Sequence, residues 1–222
     1  MKKTISNLIF LNVMFVVGMT MANILAPRLV QLPFGLIVPA GTECFAITFL
    51  VTDVIGEIWG KMEARRTVII GLISQLVVVV LMKFGLYVWK SVDTEFSSLM
   101  VSVLSSNSSV VFGGIITYIC SQFLDVNLFH NIRDFFIKKY GDNFYKWRWV
   151  WNNGSSFCSQ LIDAFVFTFV TFGVFLGGLK DGVSELVIIS LSLYAYKLIL
   201  AALDTPIFIY LTRNYRKVKN ED

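Results

Sequence analysis

Ionisable and amide side chains interrupt several long apolar stretches of the sequence. A charge at the centre of a bilayer costs about 2.5–3.5 kcal/mol on insertion scales, so such a side chain is expected to face a protein interior or a water-filled cavity. Carboxylates, amides and an ammonium group together can bind a polar solute by hydrogen bonds. The interrupting residues are Asn12, Asn23, Asp53, Glu57, Gln75, Lys83, Gln122, Asp125, Gln160, Asp163, Lys197 and Asp204.

The spacing of these residues predicts which of them share a helix face. Asp53 and Glu57 are four residues apart, and Lys197 and Asp204 are seven apart, so each pair lies on one face of its helix. One interpretation is that the charges pair with one another and only hold helices together. The aspartates outnumber the central lysine, however, and this excess favours a polar cavity.

A short motif occurs twice in the chain. Residues 121–125 read Ser-Gln-Phe-Leu-Asp, and residues 159–163 read Ser-Gln-Leu-Ile-Asp. In a helix, the serine, glutamine and aspartate of this motif fall on one stripe. Two such stripes facing each other would offer carboxylates and amides to one ligand.

The elements that must position these residues are membrane helices. The chain has 222 residues, of which 56% are hydrophobic and 15% charged, whereas a soluble domain carries roughly 25% charged residues. A helix needs about 20 apolar residues to cross a bilayer. We therefore predict an all-α integral membrane protein, with residues 1–222 forming one domain. Its six predicted transmembrane helices are 8–26, 36–58, 67–89, 108–130, 155–178 and 184–212.

The distribution of lysine and arginine predicts the orientation of the chain. Alternate loops are rich in these residues, whereas the intervening loops carry only Arg28, Lys90 and Lys180. Because basic loops stay in the cytoplasm, both termini are predicted to be cytoplasmic. The segment 131–150 is predicted to be a basic loop at the membrane surface, with Trp147, Trp149 and Trp151 as interfacial residues at and just beyond its end.

Several functional classes lack support in the sequence. No phosphate loop, zinc-protease helix or nucleophile elbow is present, so no enzyme, cofactor or ATPase is predicted. Three scattered cysteines and the single His130 argue against a disulfide framework and a metal site. The basic residues behind the net charge of +4 lie mostly between hydrophobic segments, so membrane topology explains them better than nucleic-acid binding.

Four blocks of sequence follow one another along the chain. They are Thr-Asp-Val-Ile-Gly-Glu-Ile-Trp-Gly at 52–60 followed by Ala-Arg-Arg at 64–66, residues 121–126 with Phe129 and Arg133, residues 153–163 with Phe167, and Tyr196-Lys197. In this order, and over nearly the whole chain, they resemble the queuosine precursor transporter family, which is also called the putative vitamin uptake transporters.

The resemblance implies import of a 7-deazaguanine across the inner (plasma) membrane. The candidates are 7-cyano-7-deazaguanine, 7-aminomethyl-7-deazaguanine and queuine, which feed the queuosine modification of tRNA. It also implies six helices like those of the substrate-binding subunits of energy-coupling-factor importers, and transport without an ATPase module. The candidate substrate-binding residues are Asn23, Phe45, Asp53, Glu57, Trp59, Gln122, Asp125, Gln160, Asp163, Phe167 and Lys197.

The chemistry of a 7-deazaguanine suits these residues. Its N1–H and 2-amino groups are adjacent donors that Asp53 or Asp163 can accept, and Lys197 either contacts O6 or pairs with the remaining aspartates. A protonatable Asp125 would couple import to protons. Alternatives are a substrate-binding subunit that needs an energising module, for another vitamin or nucleobase, and a membrane-embedded enzyme or scaffold. The sequence leaves open whether the chain forms a homodimer.

Overall fold

The computed structural model describes residues 1–88, 94–141, 146–175, 177–180 and 182–213. Lys90 and the basic residues Arg216, Lys217 and Lys219, which entered the prediction of orientation, lie outside these ranges. Within them the chain folds almost entirely into helices. The α-helices are α1 (Ile5–Leu25), α2 (Thr42–Ile58), α3 (Lys61–Tyr87), α4 (Glu95–Tyr140), α5 (Arg148–Phe167) and α6 (Val183–Thr212).

Five helical segments are long and apolar enough to cross a membrane. They comprise α1, α3, the part of α4 from Val110 to Tyr140, α5 with its continuation to Phe175, and α6. This result confirms an all-helical protein with several membrane spans. The remaining helix, α2, has 17 residues and is therefore about 25 Å long, slightly less than the hydrocarbon thickness.

A β-hairpin replaces the first part of the predicted second span. Strand β1 (Leu29–Gln31) pairs antiparallel with strand β2 (Ile37–Pro39), and α2 begins only at Thr42. The predicted start at residue 36 is therefore wrong. Phe34 and Gly35 adopt positive φ values of 66° and 77° at the tip, which reverses the chain within a few residues. Val38 is fully buried and belongs to an apolar cluster with Ala164 and Leu193 of α5 and α6.

The predicted basic loop 131–150 is wrong for most of its length. Helix α4 continues to Tyr140, well beyond the predicted end at residue 130, and α5 begins at Arg148. Aromatic packing explains the extension. The Phe136 ring stacks on Tyr140 and makes tilted contacts with Trp147 and Trp151. Trp151 is fully buried, so it is a core residue and not an interfacial anchor.

Helix α5 continues as a π-helical segment over Thr168–Phe175. This segment packs closely on α4, because a Cβ atom added at Gly113 would overlap the side chain of Thr171. π-Helical turns are rare and frequently occur at functional sites. Here the segment begins directly after Phe167, one of the candidate binding residues.

Candidate functional site

Two cavities lie between the helices. The first, here called the hairpin cavity, is lined by residues that include Asn23, Pro39, Thr42, Asp163 and Phe167. The second, here called the carboxylate cavity, is lined by residues that include Asp53, Asn152, Ser156, Gln160 and Asp204. Both cavities are narrow in this arrangement of the helices, so a solute much larger than water enters only when the helices move apart.

Phe45 of α2 and Lys197 of α6 line both cavities. Lys197 pairs with the Asp163 carboxylate of α5, and its ammonium nitrogen also lies 4.9 Å from the centre of the Phe45 ring. All three side chains thus contribute to the partition between the cavities. A buried ammonium needs such partners to stay charged, and the position of the pair agrees with the predicted role of Lys197 as a counterion.

The two copies of the repeated motif face each other in the structure. Ser121 of the first copy donates a 2.7 Å hydrogen bond to Asp163 of the second, and Ser159 of the second donates a 2.7 Å hydrogen bond to Asp125 of the first. The four side chains are at most 1% exposed. These two reciprocal hydrogen bonds join α4 to α5, and each one fixes the orientation of one aspartate side chain.

Carboxyl groups are concentrated beside the carboxylate cavity. Asp53 is buried and neighbours Asp125, and Asp204 and Glu57 are close enough to act on it electrostatically. Asp125 is fully buried behind Asp53. Neighbouring carboxylates in a medium of low polarity repel each other unless a proton or another cation lies between them.

The carboxylate cavity also holds amide oxygens with unused capacity. Gln160 Oε1 and Asn152 Oδ1 are buried and accept no hydrogen bond within the described part of the chain. A buried acceptor that stays unpaired costs roughly 1–3 kcal/mol. Together with Asp53, these oxygens form a set of acceptors suited to a solute that presents several N–H donors.

The hairpin cavity is more apolar, and the amide nitrogen of Asn23 in its wall is already paired. Asn23 donates a 2.8 Å hydrogen bond to Gln75, which in turn donates to Thr20 at 3.1 Å. The Asn23 oxygen lies against Gly114, 2.9 Å from the position that a Cβ atom would take there. The cavity therefore offers mainly aromatic and aliphatic surface, including Phe167.

Four candidate residues do not line either cavity. Gln122 is fully buried and donates a long 3.3 Å hydrogen bond to Thr48, and Asp125 lies behind Asp53. Trp59 lies at the end of α2, in a surface groove beside the N-terminal residues. Glu57 has a fully buried side chain that pairs with Arg133 at 3.1 Å and Arg148 at 3.8 Å, which ties α2 to α4 and α5.

Sequence reasoning missed several lining residues. Asn152 and Ser156 precede the second copy of the motif by one or two helical turns, so periodicity alone places them on the same stripe as Gln160. Asp204 is among the polar membrane residues but not among the predicted ligands. Pro39 and Thr42 reach the hairpin cavity only because the hairpin folds over it, and a hydropathy pattern carries no signal for that.

A helical bundle with ionisable side chains around internal cavities is typical of membrane proteins that bind or pass polar solutes. A sequence profile of the family described as putative vitamin uptake transporter matches residues 39–211. The chain belongs to this family, and it is thus a multi-pass membrane transporter and not an enzyme.

A curated relative from Bacillus subtilis (strain 168), named probable queuosine precursor transporter, is 31% identical over 152 residues. The alignment covers 68% of this chain and 63% of the relative, so the chain spans less than two thirds of the relative's length. No solved structure matches the chain.

Proposed function

We propose that the protein imports a queuosine precursor, a 7-deazaguanine, through the carboxylate cavity. The observation that carries the proposal is the acceptor set of Asp53, Gln160 and Asn152, whose two amide oxygens have no donor within the described residues. The name of the Bacillus subtilis relative supports the same substrate class.

The acceptor set matches the hydrogen-bonding edge of a 7-deazaguanine. Its N1–H and 2-amino groups are adjacent donors, and one carboxylate accepts both, as in bidentate pairing with a guanidinium. Asp53 takes this edge, and Gln160 and Asn152 accept the second 2-amino hydrogen and the ring N9–H. Lys197, which also lines this cavity, donates to O6 after it leaves Asp163. The flat ring stacks on Phe45.

The precursor enters through the hairpin cavity. The apolar surface there, which includes Phe167 and Phe45, contacts the ring of the precursor without strong hydrogen bonds. Passage into the carboxylate cavity then requires that Phe45 rotates and that the Lys197–Asp163 pair opens. The candidate residue Asn23 lines this entry path, where Gln75 holds its amide nitrogen. Gln122 lines neither cavity, and it orients the wall through its hydrogen bond to Thr48 without direct contact with the precursor.

We also propose that residues 1–222 form one membrane domain with six crossings in the inner (plasma) membrane and both termini in the cytoplasm. Helix α2 is the additional crossing beside the five long helical segments. It is short because the hairpin, at the N-terminal end of α2, spans the rest of the membrane thickness. The basic segments at Lys61–Arg66 and Arg133–Lys139 then lie on the cytoplasmic side. Transport is driven by an ion gradient, without an ATPase subunit.

The proposal is tested by the queuosine content of tRNA in a bacterium that lacks both precursor synthesis and its own transporter. Cells that express this chain receive each of the three precursors in turn at nanomolar concentration. We expect queuosine to return with at least one precursor and to be lost with Asp53→Asn. The matched control is Asp134→Asn, the same change at an exposed position of α4, which retains import.

Two results would count against this function. If no precursor restores queuosine although the protein is abundant in the membrane, the substrate class is wrong. If restoration requires co-expression of an energy-coupling ATPase, the chain is instead the substrate-binding subunit of an energised importer, and gradient-driven transport is excluded.

A further inference from the structure

The carboxylate cavity lies between α2, α5 and α6, and its two ends differ in charge. The lining residues of each helix form a stripe about 10–12 Å long, which is roughly two helical turns. The end nearer the hairpin cavity carries Phe45, Gln160 and the ammonium group of Lys197. The opposite end, here called the acidic end, is formed by Asp53 of α2, Asn152 of α5 and Asp204 of α6.

Hydrogen bonds between α5 and α6 fix the depth of the acidic end. The Asn153 amide group donates a 2.9 Å hydrogen bond to the Thr205 hydroxyl, which donates a 3.1 Å hydrogen bond to the Asn153 oxygen. Asn152 and Asp204 directly precede these two residues, so they lie at the same depth. Asp53 reaches the same cavity from α2. Two carboxyl groups and one amide thus line one end of a narrow cavity.

The acidic end has no counter-charge from the described residues. Asp53 is buried and Asp204 is half-buried, and every ion pair found in the described ranges involves other carboxylates. Lys197, the ammonium group at the other end, pairs with Asp163. Asn152 is only 4% exposed, and its Oδ1 accepts no hydrogen bond within the described ranges. This arrangement suits a ligand group that donates hydrogen bonds and carries a positive charge.

The shape of a 7-deazaguanine determines which part of it meets Asp204. In the proposed function, the N1–H and 2-amino edge faces Asp53 on α2, and the edge with N9–H faces α5. The remaining edge, which bears O6 and the substituent on C7, therefore faces α6. The α6 residues that line the cavity are Lys197, Ala201 and Asp204. Because Lys197 donates to O6, the neighbouring C7 substituent is left to Asp204, about two turns further along the same helix.

We infer that Asp204 binds a positively charged group on the C7 substituent and thereby selects among the precursors, an inference that rests on the proposed function. Two of the candidates, 7-aminomethyl-7-deazaguanine and queuine, carry an amine on this substituent, and alkylamines are protonated at neutral pH. The cyano group of 7-cyano-7-deazaguanine is neutral. An ammonium group compensates the Asp204 carboxylate, whereas a neutral substituent leaves that charge without a partner in a narrow site, which is unfavourable.

The test is equilibrium binding to the purified full-length protein in detergent. The ligands are the aminomethyl precursor, the cyano precursor and 7-hydroxymethyl-7-deazaguanine, a neutral analogue of nearly the same size as the aminomethyl compound. Wild-type protein should bind the aminomethyl compound about tenfold more tightly than the hydroxymethyl analogue, as expected for a hydrogen bond between charged groups. Asp204→Asn should abolish this preference and change the affinity for the two neutral ligands by less than about threefold.

Two further variants make the comparison specific. Asp204→Glu keeps the charge and should retain a preference for the aminomethyl compound. Glu185→Gln removes a negative charge from an exposed position in the first turn of the same helix, and it should behave like the wild type.

The wild-type protein alone can refute the inference, even if Asp204→Asn does not fold. Equal wild-type affinity for the aminomethyl and hydroxymethyl compounds would overturn the role of Asp204 and leave the proposed function intact. An unchanged preference in Asp204→Asn would have the same meaning. Failure of the wild type to bind any of the three ligands would instead contradict the proposed function.

Discussion

Lys197 of α6 and Asp163 of α5 form a buried ion pair between the two cavities. Asp163 also accepts a hydrogen bond from Ser121, so this carboxylate joins α4, α5 and α6 at one point. Among the described residues, Lys197 pairs with no second charged group. Its ammonium nitrogen otherwise lies over the face of the Phe45 ring. The lysine is therefore the side of the pair that can move when the partition opens.

The first prediction concerns the energetics of this pair. Lys197→Met leaves Asp163 as an uncompensated buried charge and should destabilise the protein by about 3–5 kcal/mol. The double variant Lys197→Met with Asp163→Leu removes both charges, and it should recover most of this stability while remaining inactive. Thermal unfolding in detergent measures both effects. A double variant no more stable than Lys197→Met would show that the pair does not hold the helices as described.

The second prediction separates a structural role of Glu57 from substrate binding. Sequence reasoning includes Glu57 among the candidate ligands, whereas its carboxylate faces Arg133 and Arg148 in the structure. Glu57→Gln should lower stability by about 3–5 kcal/mol because it removes the charge that both guanidinium groups face. The KM of the protein that still reaches the membrane should be unchanged. A tenfold rise in KM at normal stability would restore Glu57 to the binding site.

The third prediction tests the close contact between α4 and the π-helical segment. Gly113→Ala places a methyl group against the Thr171 side chain, and such overpacking costs about 1–3 kcal/mol. Gly85→Ala is the matched control, since an added Cβ there meets no atom within 4 Å, and it should be neutral or slightly stabilising. Equal unfolding temperatures for the two variants would mean that the segment does not pack as described.

Much of the architecture was predictable because hydropathy and spacing determine it. The helical membrane fold follows from apolar length, and the shared stripe of the polar residues within each Ser-Gln-apolar-apolar-Asp motif follows from helical periodicity. The hairpin at 29–39 was not predictable, because residues 36–39 are apolar enough to extend the predicted second helix and hydropathy carries no signal for the pairing of 29–31 with 37–39. The extension of α4 to Tyr140 was missed because basic residues lower the hydropathy, while the stabilising contacts with Trp147 and Trp151 are tertiary.

The sequence predicts which types of residue form the candidate site better than it predicts the contacts that these residues make. Asp53, Gln160 and Lys197 were identified because charges and amides are costly in a bilayer. The free-energy cost of a charge in the bilayer does not distinguish a substrate-binding residue from one that joins helices in an ion pair. Glu57 is an example, because it pairs with Arg133 and Arg148. Which amide groups are already paired depends on the packing of helices distant in sequence, as in the hydrogen bond that Asn23 donates to Gln75.

The fourth prediction concerns Phe45, which separates the cavities. Phe45→Ala removes a stacking surface and the ring beneath the Lys197 ammonium, interactions worth about 1–2 kcal/mol. The affinity for the precursor should therefore fall roughly tenfold, whereas Phe45→Tyr should stay close to wild type. Phe10→Ala, at an exposed position of α1, is the control. Saturation uptake measures the effect, and equal KM values for Phe45→Ala and Phe10→Ala would exclude Phe45 from the path.

The central claim is that Asp53 accepts the donor edge of a 7-deazaguanine, and equilibrium binding to the purified protein tests it most directly. Two ligands are compared, 7-cyano-7-deazaguanine and the analogue that lacks the 2-amino group. Wild-type protein should bind the first at least tenfold more tightly, because the analogue leaves acceptors in the cavity unpaired. Asp53→Asn should bind both weakly and with little preference. Equal affinity of the wild type for both ligands, or an unchanged preference in Asp53→Asn, would contradict the account.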